Sequence, residues 1–495
     1  MSLRILSVFA CAVALVGTTH AATPNASFDP LLDRAMAADA TPGISVAVVQ
    51  GDSVIWLAAR GWADREATRA VTPETRFYIA STTKAFTATA AACLAARGAL
   101  DLEAPLSEAL PLARFNATVH PESIRVVDLL THTHGIDADG PVSVRVAYTG
   151  DYDHAGLYRA LASQGAASSG HAFAYLNLGY DLAGIVLDPA HDRGWKSVVE
   201  SEVTGPLGLK ATTAYRSKVR DAVLALPYEN TTEGFERVRL AKQDANMGPA
   251  GGMFSTSGDL ARLLIAELNE GRIDGRARTP ASVIAETQRF HVAQAGKPWD
   301  YPRHGWGLGW DLGTYVSDTL VHRFGTFPGY GCHVSFMPAR HIGVVVLVNN
   351  SRTGMLFADI VANAVYDQLS GRVDAGTRMD AALDSLRVRT TKLHGLLATD
   401  HARRAARPQQ LSHPLEAYAG EFVNSDWGTL RLSVQQGHLF ARMGVAESKV
   451  EVYDATKDKL RVELFGGGGV VEAVFPEGAA RASELKLEGA SFRRR

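Results

Sequence analysis

Two groups of strand-forming residues stand far apart in this chain, and the sequence between them is mostly helical in pattern. Residues 44–49 and 54–59 are β-rich runs joined through Gly51-Asp52, which reads as a hairpin. Strand character returns at 320–323, 332–337 and 342–348, with Pro338-Ala339-Arg340-His341 turning between the last two. Helical patterns dominate from about 100 to 295, broken by loops such as Gly248-Pro249-Ala250-Gly251-Gly252. Strands from both ends with helices inserted between them predict one α+β domain closed by its termini. The chain has 495 residues, too many for a single core, so a second domain is expected. Residues 374–412 are charged and Ala/Leu-rich and read as a helical connector. Residues 413–495 switch to short alternating runs with Gly turns, such as Thr429-Leu430-Arg431-Leu432-Ser433-Val434. That pattern predicts a small antiparallel β-domain, barrel-like in form.

Charge narrows the partners. The formal net charge is -2 and no long Lys/Arg block occurs, so nucleic acid and anionic membranes have no electrostatic support. Residues 1–22 read as an export signal: Arg4, an apolar run over 5–17 too short to span a bilayer, then Thr19-His20-Ala21. Cleavage after Ala21 or Ala22 would leave no transmembrane anchor and a periplasmic or secreted protein. Cys93 and Cys332 would then be the remaining cysteines, too few for a disulfide framework. Both are expected as free thiols.

The chemical signal is Ser81-Thr82-Thr83-Lys84. Residues three apart on a helix share a face, so Lys84 would sit one turn from the Ser81 hydroxyl. A serine attacks only when a nearby base takes its proton, and a lysine desolvated in a pocket can serve. The same pattern also suits a helix-capping serine. A second copy, Ser483-Glu484-Leu485-Lys486, falls in the alternating segment and reads as surface strand.

Two later elements add to it: Tyr175-Leu176-Asn177-Leu178-Gly179-Tyr180, and Arg323-Phe324-Gly325 followed by Pro328-Gly329-Tyr330. In this order the three elements resemble the serine β-lactamase and penicillin-binding-protein superfamily. The branch indicated holds class C β-lactamases, D-alanyl-D-alanine carboxypeptidases, D-aminopeptidases and related esterases. Leu129-Leu130-Thr131-His132-Thr133-His134-Gly135 and Gly305-Trp306-Gly307-Leu308-Gly309-Trp310 support it, and the likeness covers about residues 40–350. It implies a β-lactamase/transpeptidase-like domain over 25–373, and a lipocalin-like domain at the C-terminus. It also implies roles. Ser81 would form an acyl-enzyme, and Lys84 and Tyr175 would share the proton traffic in an open order. Asn177 would bond Lys84 and the substrate amide, and backbone N–H groups of Ser81 and Thr326 would hold the oxyanion. Tyr228-Glu229-Asn230 is a decoy for the second element, since it lacks the flanking Leu-Gly-Tyr.

The third element departs from the usual Lys-Thr-Gly or His-x-Gly. On a strand, Arg323 shares the face of Gly325, whereas His322 and Phe324 point the other way. Arg323 is therefore expected to bind substrate beside Gly325 and Thr326, where a guanidinium can hold a carboxylate. Phe324 removes the usual hydroxyl, which disfavours efficient β-lactam hydrolysis. His134 is expected to be structural. No His-Glu-x-x-His pattern occurs, so neither metal nor cofactor is expected. The resulting expectation is a serine hydrolase cleaving an amide or ester, first of all in D-amino-acid-containing peptides. Peptidoglycan fragments and β-lactams are possible ligands. An esterase and a non-turnover peptidoglycan-binding protein are the alternatives, and the oligomeric state is open.

Overall fold

A computed structural model describes residues 28–495 apart from 138, 189–193, 240, 241, 299 and 467. The export-signal expectation at residues 1–22 therefore lies outside the described residues.

The hairpin and the late strands form one antiparallel sheet. Its strands are β1 (Gly43–Gln50), β2 (Ser53–Asp64), β3 (Arg69–Ala70), β4 (Val292–Gly296), β5 (Arg303–Trp306), β6 (Asp311–Tyr315), β7 (Asp318–Phe327), β8 (Tyr330–Met337) and β9 (Ile342–Val348). The order across the sheet is β4-β5-β6-β7-β8-β9-β1-β2-β3. β1 pairs with β9, Val46 opposite Val346, so the two ends of the domain meet in mid-sheet. The central strands are buried on both faces, which explains their unbroken runs of Val, Ile and Leu. Helices cover each face: α1 (Asp29–Met36) and α5 (Gly354–Leu369) on one, α2 (Thr83–Ala96) and α4 (Ser257–Leu268) on the other, with α3 (Asn177–Val186) in the inserted helical region. Strand β4 begins where the sequence pattern suggested the helical region would still be running, and β5 lies in a stretch to which the pattern assigned no element.

Helix α6 (Ala375–Ala405) runs through the charged connector stretch. Beyond it nine antiparallel strands form a second sheet. Its two edge strands, Ala446–Lys449 and Glu451–Asp454, are separated in sequence only by Val450. The sheet must therefore curl until its edges almost meet, enclosing Phe422, Leu430, Leu460, Leu485 and Phe492 in a nearly closed barrel-like core. The second Ser-x-x-Lys copy lies here, with Glu484–Leu487 as a strand.

Candidate active site

Ser81 lies in a single turn, Ala80–Thr82, that runs directly into α2. Ala80 holds φ 45°, a left-handed conformation that costs a non-glycine residue on the order of 1 kcal/mol or more. That strained residue links the Phe77–Tyr78 strand to the helix. Strand β7 passes close by. A Cβ on Gly325 would lie 2.1 Å from the Ile79 carbonyl oxygen, so glycine is what lets the strand reach the serine turn. The Thr82 hydroxyl, 3.4 Å from the Arg323 carbonyl and 3.3 Å from Cys332 Sγ, ties the turn to β7 and β8.

One helical turn on, Lys84 is fully buried. Its Nζ donates to Asn177 Oδ1 at 2.7 Å and to the Ala250 carbonyl at 2.8 Å, and lies 3.4 Å from Ser81 Oγ. It also lies 4.9 Å from the centre of the Tyr175 ring. Asn177 opens α3, and its amide in turn donates to Asp139 Oδ2 at 3.1 Å. Asp139 Oδ1 accepts the Leu178 backbone N–H at 3.0 Å, placing a carboxylate at the positive end of that helix.

Tyr175 presents its ring to the cleft, 40% exposed, while its other side packs on His132 and Trp306. His132 frames it. The His132 carbonyl accepts Ala174 N–H and its Nδ1 accepts Leu176 N–H, on either side of Tyr175. Burial, then the charges of Lys84, His134 and Arg323, hold the His132 imidazole well below its ordinary pKa. It is therefore neutral, and with Nδ1 accepting it carries its proton on Nε2. Burial would raise the Tyr175 phenol. The Arg323 guanidinium, the Lys84 ammonium and hydrogen bonding to Ser81 and Lys84 outweigh it and bring the pKa below the usual value.

Arg323 lies on the Gly325 side of β7, and His322 and Phe324 stack together on the other side against Tyr301. Yet Arg323 is only 5% exposed. Its Nη1 lies 3.2 Å from Asp311 Oδ2, its Nε donates to the Phe324 carbonyl, and its guanidinium packs 5.3 Å from Tyr175 and 5.1 Å from Trp306. It is a buried support behind Tyr175, with its charge met, rather than an arm reaching into the cleft. Thr326, at the end of the strand, is exposed.

Tyr228 is elsewhere: its hydroxyl bonds Glu66 and accepts Arg65 N–H. His134 is buried, with Nδ1 accepting Ile136 N–H, and burial drives its pKa down to about 4. Cys93 and Cys332 are free thiols. Asp359, His333, Ser335 and Tyr366 form a second hydrogen-bonded chain between the sheet and α5. All four are buried, so no substrate reaches Ser335. Among the described residues no group of three His, Cys, Asp or Glu is placed to hold a metal. Asp139, His132 and Asp311 had no assigned role from sequence. His132 stood in a quoted motif and Asp311 directly follows one, but neither carried a spacing signal.

The barrel-like sheet docks beside this cleft. Arg145 Nη1 donates to the Asp426 carbonyl, and Val445 N–H to the Thr149 carbonyl. Phe465 lies 6.0 Å from Tyr148, which is 5.7 Å from Phe327, next to Thr326.

The beta-lactamase family model matches residues 28–367. Protein flp of Staphylococcus aureus strain MW2 is 24% identical over 323 residues, covering 65% of this chain and 62% of that protein. The unguisins hydrolase ungD' of Aspergillus campestris is 26% identical over 334 residues, 63% of this chain and 59% of that protein. The chain thus spans about three fifths of the length of these curated relatives. Among solved structures, the octameric penicillin-binding protein homologue from Pyrococcus abyssi superposes with TM-score 0.60 at 20% identity, over 94% of this chain and 98% of that one. The D-amino acid amidase from Ochrobactrum anthropi SV3 does so with TM-score 0.55 at 22% identity, over 65% and 90%. These structures share the fold of a sheet flanked by helices in which the Ser81 turn is set. On the match over residues 28–367, the chain belongs to the beta-lactamase family.

Proposed function

We propose that this protein is an exported serine acyl-hydrolase that cleaves an amide or ester bond through a Ser81 acyl-enzyme. The observation that carries the reading is the Lys84 ammonium, buried and shared among Ser81 Oγ, Asn177 Oδ1 and the Ala250 carbonyl. With its protons turned to these acceptors, Lys84 acts as the fixed cation, and Tyr175 acts as the base. Ser81 Oγ bonds to the substrate carbonyl carbon as its proton passes to the oxygen of Tyr175 in its phenolate form. Backbone N–H groups of Ser81 and Thr326 receive the oxyanion, each donor contributing roughly 3–4 kcal/mol. Tyr175 then returns the proton to the departing amine or alcohol, and water releases the acyl group by the reverse path.

Substrate class follows from Arg323. A guanidinium already met by Asp311 and 5% exposed is a poor anchor for a substrate carboxylate. This favours neutral amides and esters over carboxypeptidase substrates or β-lactams. D-aminoacyl amides and D-amino-acid-containing peptides come first. The hydrolase and amidase names of similar proteins support this, as does the export pattern of residues 1–22. Within the superfamily the motifs favour the branch of class C β-lactamases, D-alanyl-D-alanine carboxypeptidases, D-aminopeptidases and related esterases. The C-terminal β-domain, over 413–495, is read as lipocalin-like. A panel of D-aminoacyl amides, D-Ala dipeptides, p-nitrophenyl esters and nitrocefin tests the reading. Turnover of the amides is expected. Turnover of esters alone would make it an esterase, and no turnover of any would leave a binding protein.

A further inference from the structure

A cavity of about 920 Å³ is lined by residues other than Ser81, Lys84, Tyr175, Asn177 and Arg323. Tyr330 and Phe254 line the cavity, and both pack on Tyr78, at 5.8 and 5.4 Å, three residues before the nucleophile. We propose that this cavity binds a small organic polyanion, an apolar body carrying two or more carboxylate or phosphate groups.

The charge of the lining sets the sign of the ligand. Arg69, Arg216, Arg237 and Arg239 border the cavity, against the carboxylates of Asp64 and Asp221. The whole chain has a formal charge of -2, so four guanidiniums in one place do not follow from a basic composition. Two of them are fixed. Arg69 donates to the Ala222 and Leu224 carbonyls, and Arg216 donates to the Val219 carbonyl and pairs with Asp221. The other two, Arg237 and Arg239, are exposed and have no ion pair among the described residues. Arg237 ends the Gly234–Arg237 strand, whose partner strand fixes it opposite Tyr228.

Lys242 also borders it but is turned inward. Its Nζ donates to the Ala147 carbonyl at 2.5 Å and lies 4.1 Å from the Phe327 ring centre. The rim is thus arginine, suited to paired oxygens of carboxylate or phosphate. The floor is apolar, with Leu224, Leu226, Pro227 and Phe254. The volume suits a small organic molecule rather than a lone ion. This proposal is independent of the Ser81 chemistry.

Isothermal titration calorimetry of the full chain tests it with two probes, pyrophosphate and trimesate, an aromatic tricarboxylate. Saturable one-to-one binding of trimesate is expected, and pyrophosphate, which carries the charge without the apolar body, should bind more weakly. Binding of pyrophosphate alone would make this a site for a bare anion and overturn the proposal. Arg237→Glu with Arg239→Glu should weaken it at least about tenfold, the scale of one charge-assisted hydrogen bond. The single Arg237→Ala should show a smaller loss in the same direction. Both side chains are exposed, so thermal unfolding should stay as in the wild type. Failure of both probes to bind overturns the proposal. So does binding of equal strength in the wild type and in either variant.

Discussion

The Arg323 guanidinium lies 3.2 Å from the Asp311 carboxylate, directly behind the ring of Tyr175. A charge held there acts on the phenol first and on substrate little. Arg323 is the largest of the influences that keep the Tyr175 pKa below its usual value. Removing it should let that pKa rise. The rising limb of kcat/KM against pH should then move to higher pH in Arg323→Ala, and each pH unit of movement costs about tenfold at neutral pH. Neutral and carboxylate-bearing substrates should lose alike. A loss confined to carboxylate-bearing substrates, with the pH limb unmoved, would put Arg323 back at the substrate.

His322 gives the matching control. It is stacked on Phe324 and Tyr301 on the far side of the strand. His322→Ala should open a void and cost about 2–4 kcal/mol of stability, seen as a lower Tm, while the pH limb stays where it is in the wild type. A shifted limb in a folded His322→Ala protein would contradict the assigned faces of β7.

Asp139 is expected to matter more than its loop position suggests. It holds the Asn177 amide and the first turn of α3 together. Asp139→Ala should lower kcat/KM about ten- to a hundredfold, the scale of one charge-assisted hydrogen bond. Lys84 should keep its place in the folded variant. Steady-state kinetics beside thermal melts would separate this from unfolding; an unchanged kcat/KM would remove Asp139 from the site.

A pH effect on stability should come from Glu267, on α4. Burial pushes its carboxyl up to about 7, only partly opposed by hydrogen bonds from Gln288 and Trp310. Between the ordinary carboxyl value, about 4.3, and 7, the folded state keeps a proton that the unfolded chain has lost. Stability therefore falls as pH rises through that window. Glu267→Gln should remove this fall and gain up to about 3 kcal/mol relative to wild type above pH 7. Melts compared at both ends of the window check this. A Glu267→Gln protein no more stable than wild type at the upper end would contradict it.

How much was legible in the sequence can be judged residue by residue. The Ser81–Lys84 pairing was readable because its spacing equals a helical turn, and the faces of His322 and Arg323 because a strand alternates. The central strands were readable because burial on both faces demands continuous apolar runs. The partners were not. Asp311 reaches Arg323 from the neighbouring strand, and Asp139 meets Asn177 from a loop, so no local spacing encodes either contact. The burial of Arg323 was hidden for the same reason, since it depends on Trp306 and Asp311 arriving from β5 and β6. Strands β4 and β5 are short, with Gly, Arg and His among the residues, and offered no alternating signal.

Ser81 as the nucleophile is the central claim, and covalent labelling tests it most directly. The full chain would be treated with a fluorophosphonate probe, digested and read by mass spectrometry, beside Ser81→Ala and Lys84→Ala. The adduct should sit on the peptide containing Ser81, vanish in folded Ser81→Ala, and form several orders of magnitude more slowly in Lys84→Ala. Undiminished labelling of Ser81→Ala, or an adduct on any other serine, would contradict the account.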